Sequence, residues 1–72
     1  MAIKITDENL KIVRHSLRGW TTAYEVAERT NFTFVEARTL LSELEHRGMA
    51  RSKEVYAFLP QGKRHTKGYT WI

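Results

Sequence analysis

Three stripes of apolar residues at helical spacing, followed by two short apolar runs, divide this chain. Leu10, Val13 and Leu17 recur at intervals of three and four, as do Ala23, Val26 and Ala27, and then Ala37, Leu40, Leu41 and Leu44. Such spacing lines one face of an α-helix, because each residue steps about 100° around the axis. The stripes predict helices over about 7–18, 22–30 and 34–47. Beyond position 50 the pattern changes. Val55-Tyr56-Ala57-Phe58-Leu59 and Tyr69-Thr70-Trp71-Ile72 are rich in strand formers and predict two β-strands, the first ended by Pro60. Gln61 to Gly68 (QGKRHTKG) is polar, basic and bracketed by glycines, so it reads as a hairpin tip within a hairpin of about 51–72.

The helix ends carry their own signals. Thr6 precedes an acidic first turn, Asp7 and Glu8, and the opening helix is expected to finish near Arg18-Gly19. Thr22-x-x-Glu25 and Thr33-x-x-Glu36 are capping boxes: each threonine hydroxyl accepts the backbone N–H three residues on, and each glutamate reaches back to the threonine's N–H. Asn31-Phe32 is expected to make the corner between the second and third helices, since asparagine tolerates the left-handed conformation that ends a helix. His46-Arg47-Gly48 suits the negative end of the third helix and its cap.

A small-residue helix, a threonine cap and a leucine-rich helix ending Leu44-Glu45-His46-Arg47-Gly48-Met49 resemble the winged helix-turn-helix family. Two helices followed by one β-hairpin is also that family's order, so the resemblance runs from about Leu10 to Ile72. It implies an α+β fold of three helices with a C-terminal hairpin wing, and a short strand at Trp20-Thr21. It also implies a second motif helix that is offered to a DNA groove.

Seventy-two residues make one domain, close to the lower size at which a core stabilises itself. The chain has no cysteine, which excludes disulfides and thiolate metal sites. The core is therefore expected from the three stripes together with Val55, Phe58 and Trp71 of the hairpin. No apolar run is long enough to span a bilayer, and MAIKIT lacks a signal peptide's apolar stretch, so a cytoplasmic protein is expected. His15, His46 and His65 fall on three different elements without ligand spacing. Ser42 and His46 share a helix face but lack a third group, and no glycine-rich phosphate loop precedes a helix. These patterns point to no enzyme, no metal and no cofactor.

Charge is unevenly distributed. Residues 1–50 hold seven Lys/Arg and seven Asp/Glu, whereas residues 51–72 hold Arg51, Lys53, Lys63, Arg64 and Lys67 against Glu54 alone. The net charge of +4 therefore lies in the hairpin, where a phosphate backbone would be attracted. With the leucine stripe inward, the third helix turns Val35, Thr39, Ser42 and His46 outward, flanked by Arg38 on one side and by Glu36 and Glu43 on the other. The resemblance assigns base reading to Thr33, Val35, Glu36, Arg38 and Thr39, with Ser42 beside them. Arg38 suits guanine, Val35 a thymine methyl, and Glu36 cytosine unless its capping box occupies it. Lys53, Lys63, Arg64 and Lys67 are the expected backbone contacts of the wing.

Phe34 lies close to the inner face by the same rotation and is expected to pack beside Phe32. If it is exposed with Val35 instead, it makes an apolar patch suited to a protein partner. The reading is a sequence-specific binder of double-stranded DNA, expected to be a stand-alone transcriptional or accessory regulator. A single copy offers little surface, so a dimer, side-by-side copies or another DNA-bound protein would raise affinity. The second reading is a winged-helix protein-interaction module built on Phe34, Val35 and exposed hairpin aromatics. A third is RNA binding through Tyr56 and Tyr69.

Overall fold

The computed structural model describes residues 4–59 and 62–72, with Phe58 described by its backbone alone. Three helices are followed by a hairpin: α1 (Asp7–Ser16), β1 (Thr21–Thr22), α2 (Ala23–Arg29), α3 (Phe34–His46), β2 (Ala50–Leu59) and β3 (Gly62–Trp71). The strands form one antiparallel sheet in the order β1-β3-β2, and the fold is α+β.

Local chemistry accounts for each helix boundary. Thr6 caps α1 by accepting from the Asn9 N–H at 3.1 Å. The helix stops two residues before the expected position 18, because Thr21 captures the next backbone groups. The Thr21 hydroxyl accepts from the Arg18 N–H at 2.9 Å and donates to the Arg18 carbonyl at 3.1 Å, which takes Arg18 out of the helical ladder. The short strand is Thr21–Thr22, one residue later than Trp20-Thr21.

Both capping boxes are formed. The Glu25 N–H donates to Thr22 Oγ1 at 3.2 Å, and the Thr22 N–H to Glu25 Oε1 at 3.1 Å. The Glu36 N–H donates to Thr33 Oγ1 at 3.2 Å, and the Thr33 N–H to Glu36 Oε1 at 2.9 Å.

The corner between α2 and α3 is made differently from the expectation. Among the described residues only glycines have positive φ, so Asn31 is not left-handed. Thr30 turns the chain instead: its hydroxyl donates to the Val26 carbonyl at 2.8 Å and accepts from the Phe32 N–H at 3.2 Å. One side chain thus adds a second bond to a carbonyl that already accepts the Thr30 N–H, and satisfies the Phe32 N–H of the turn.

At the end of α3, Gly48 takes φ 74°. The Met49 N–H reaches the Leu44 carbonyl at 2.9 Å and the Gly48 N–H reaches that of Glu45 at 3.0 Å, the paired bonds of a Schellman cap. A β-carbon at that φ crowds the following carbonyl, so Gly48→Ala is expected to cost about 1–2 kcal/mol. Equal midpoints for the variant and the parent in urea melts would show that the cap relaxes without strain.

The buried set is Leu10, Val13, Leu17, Ala23, Val26, Ala37, Leu40, Leu41, Leu44, Ala50 and Tyr69, with Ala27, Phe32, Phe34 and Met49 packed against it. All three helical stripes are included. The hairpin's contribution differs from the expected one, because Tyr69 is buried while Val55 is only half-buried and Trp71 is 51 % exposed. Trp71 lies at the end of β3 and donates its indole N–H at 2.7 Å to the Arg14 carbonyl in the last turn of α1, which also accepts the Leu17 N–H at 3.2 Å. The expected role of Phe58 in the core falls on a side chain outside those described.

The hairpin is longer than its apolar runs. The ladder runs from Ala50↔Trp71 to Leu59↔Gly62, so Gly62 to Gly68 belong to β3 and are not a tip. Positions 60 and 61, between the two strands, lie outside the described residues. Polar side chains here pair across the ladder, Glu54 facing Lys67 and Tyr56 facing His65, and the backbone bonds to β2 need no apolar alternation to form.

Candidate nucleic-acid interface

α3 presents an outward face as its stripe requires. Val35, Arg38, Thr39, Ser42 and His46 are on its solvent side, with Val35 at 70 % exposure. Together with Ile5 and Glu43 they line one open depression, so the segment before α1 runs beside this face. Thr39 donates its hydroxyl to the Val35 carbonyl at 2.9 Å and keeps its oxygen lone pairs available as acceptors. Thr33 and Glu36 are engaged in the capping box, and one carboxylate oxygen of Glu36 is committed to it. The Arg38 side chain makes no hydrogen bond or ion pair among the described residues, so its five donors are available. Arg47, by contrast, is held by Glu43 at 2.7 Å and Asp7 at 3.4 Å. The hydrogen bond to Glu43 raises its pKa above the ordinary guanidinium value.

Phe34 is half-buried and packs against Tyr24: their rings meet edge-on with centroids 4.1 Å apart. Both line a cleft of about 280 Å³ with Ala23, Arg38, Leu59, Thr66, Lys67 and Tyr69. The head of α3 therefore adjoins the hairpin, with Arg38 on one wall and Lys67 on the other. This places α3 residues and one hairpin cation around a single concave surface.

The hairpin cations do not form a single group. Side chains alternate between the two faces of a strand, and directly opposed residues share a face. Glu45 of α3 marks the inner face: it accepts from Ser52 Oγ at 2.5 Å and pairs with Lys67 Nζ at 3.7 Å. By register Glu54, Tyr56, Lys63 and His65 share that face. Glu54 meets His65 Nδ1 at 3.3 Å, the Tyr56 and His65 rings lie 5.0 Å apart, and Lys63 Nζ stands 6.0 Å from the Tyr56 ring. Arg51, Lys53 and Arg64 occupy the outer face, turned away from α3. Of the four expected wing contacts, Lys63 and Lys67 therefore lie on one side, and Lys53 and Arg64 on the other.

Two features of this sheet escaped the expectation. Trp20 precedes β1 and lies on the outer face, with Lys53 Nζ 4.3 Å and the Arg51 guanidinium carbon 5.4 Å from its ring centroid. Arg51 and Lys53 are two apart on one strand, and that spacing was the available signal. The location of Trp20 depends on the pairing of Thr22 with Gly68, which no local pattern reveals.

Among the described residues, no helix is long and apolar enough to cross a membrane. No family model, curated protein or solved structure matched the chain.

Proposed function

We propose that this chain is a winged helix-turn-helix domain that binds double-stranded DNA with sequence preference and acts as a small transcriptional or accessory regulator. In this reading α2 and α3 are the helix pair, α3 enters the major groove, and the β2–β3 hairpin is the wing. The observation that carries it is Arg38: exposed, unpartnered among the described residues, in the first turns of α3, and on the cleft that α3 shares with Lys67 of the hairpin. A planar guanidinium so placed fits the O6/N7 edge of guanine in two parallel hydrogen bonds. Val35, Thr39 and Ser42 extend the same face with one apolar and two hydroxyl groups, a mixed set suited to thymine methyls and base-edge acceptors. The chain does no chemistry in this reading and needs neither metal nor cofactor.

Selection from a randomised duplex pool supplies the preferred site, and Arg38→Ala then tests the reading. The variant is expected to lose about 1–3 kcal/mol on the selected duplex and little on a scrambled one, since base contacts specify while phosphate contacts position. Equal losses on both duplexes would make Arg38 a phosphate contact.

A second reading rests on Ile5 and Val35, exposed at 43 % and 70 % along the same depression. An apolar strip there suits a protein partner or a second copy of the chain. Phe34 and Tyr69 no longer contribute to it, because one packs on Tyr24 and the other is buried. Burial of Tyr69 also weakens the RNA reading, which needed that ring as a stacking surface. Absence of duplex binding even at low salt would favour the protein-partner reading.

A further inference from the structure

We infer that the outer face of the sheet is a second DNA surface, which binds the phosphate backbone of a separate duplex segment without regard to sequence. The face carries Arg51, Lys53 and Arg64, all exposed, and none of them enters an ion pair among the described residues. No acidic side chain of the described hairpin shares it: Glu54, the one carboxylate there, lies on the inner face beside His65. The inner face has its charge partly neutralised, since Lys67 meets Glu45 and His65 meets Glu54. On the outward side of α3, Arg38 and His46 alternate with Glu36 and Glu43. Within the sheet, unopposed positive charge is therefore concentrated on the outer face.

The face is built as well as charged. Thr21 and Thr22 pair with Tyr69 and Gly68, which brings Trp20 over the sheet. Gly68 offers no side chain there: a β-carbon on it would stand 3.6 Å from Trp20 Cβ. The indole in turn supports Lys53 and Arg51, whose charges rest over its ring at 4.3 and 5.4 Å. Cation–π contacts leave the ammonium and guanidinium donors free while restricting the side chains, so less entropy is lost when a phosphate arrives. From Arg51 to the Ala57↔Arg64 pair, the row is about 20 Å long at strand rise, enough to meet several phosphates of one duplex. Charge complementarity selects a polyanion. Three long cations on an open strand face, with no helix beside them to enter a groove, suit phosphates and not base edges, which makes the contact independent of sequence. With α3 engaged elsewhere, one chain would hold two duplex segments.

Salt titrations on a random-sequence duplex test this surface, and a mixed assay with two differently labelled duplexes tests bridging. Replacing all three cations (Arg51→Gln, Lys53→Gln, Arg64→Gln) is expected to lower the slope of log affinity against log salt by about 2.7, if each neutralises one phosphate. It should also abolish bridging while sparing the preference for the selected duplex. A charge-matched control on α1 and its approach (Lys4→Gln, Lys11→Gln, Arg14→Gln) is expected to change neither. An unchanged slope in the first variant, or an equal drop in the control, overturns the proposal. So does tighter binding of mixed phosphatidylcholine–phosphatidylserine vesicles than of duplex at the same salt. Bridging needs both surfaces, but the slope needs only this one. A wild type without sequence preference would therefore remove the α3 reading and leave this surface to be decided by its own slope.

Discussion

Leu41→Ala is expected to lower stability by about 2–5 kcal/mol, with a melting transition shifted well below that of the parent chain. Leu41 is fully buried in the middle of the α3 stripe, among the largest side chains with no solvent contact. Truncation removes its transfer free energy and leaves a cavity that a helix held by a capping box at one end and a Schellman cap at the other cannot close. A domain of this size has only about 4–11 kcal/mol in total, so the loss is a large share of it. Ser42→Ala, one residue away on the exposed face, is the control and should stay within about 0.5 kcal/mol. Urea melts of both variants check the assignment. Indistinguishable midpoints would mean that the stripe is not the core.

Gly68→Ala is the second large effect, and its cause is crowding. An added β-carbon would stand 2.9 Å from Val55 Cγ1 and 3.0 Å from Cγ2. Valine is branched at its β-carbon and holds a restricted rotamer, so it cannot swing aside as a long flexible side chain would. Overpacking of this kind costs about 1–3 kcal/mol. Removing the obstacle should remove most of the cost. Val55→Ala combined with Gly68→Ala is expected to be no less stable than Val55→Ala alone, giving a coupling of about 0.5–3 kcal/mol in the double-mutant cycle. Additive losses would place the cause in the backbone and not in this contact.

Features governed by near neighbours in sequence were legible from the residues alone. A threonine and a glutamate three apart bond to each other's backbone whatever surrounds them, so Thr22, Glu25, Thr33 and Glu36 marked two helix starts. Ala37, Leu40, Leu41 and Leu44 declared one face because the helical period is intrinsic to the backbone, and all four are fully buried. Gly48 was legible for the same reason, as the residue type that tolerates positive φ. Even some local signals misled. Asn31 was the better-known corner residue, yet the hydroxyl of Thr30 made the bonds that turned the chain.

That the last two strands form a hairpin was legible, but their register was not, since partners such as Lys53 and Gly68 stand fifteen positions apart. A polar ribbon shows no apolar alternation, so the stretch around Lys63 and His65 looked like a loop although it is half of a ladder. Once the register is set, parity decides the rest: a slip of one residue would carry every side chain to the opposite face. The composition shows that the last 22 residues hold the whole net charge. Only the pairing sends Arg51, Lys53 and Arg64 outward while leaving Lys63 and Lys67 beside α3. The location of Trp20 beneath two of those cations follows from β1 joining β3, a contact between segments more than forty residues apart. Helices and their caps were therefore set by the sequence itself. Which charges stand together was decided by tertiary structure, because pairing across the ladder and the packing of α3 on one side set which face each side chain takes.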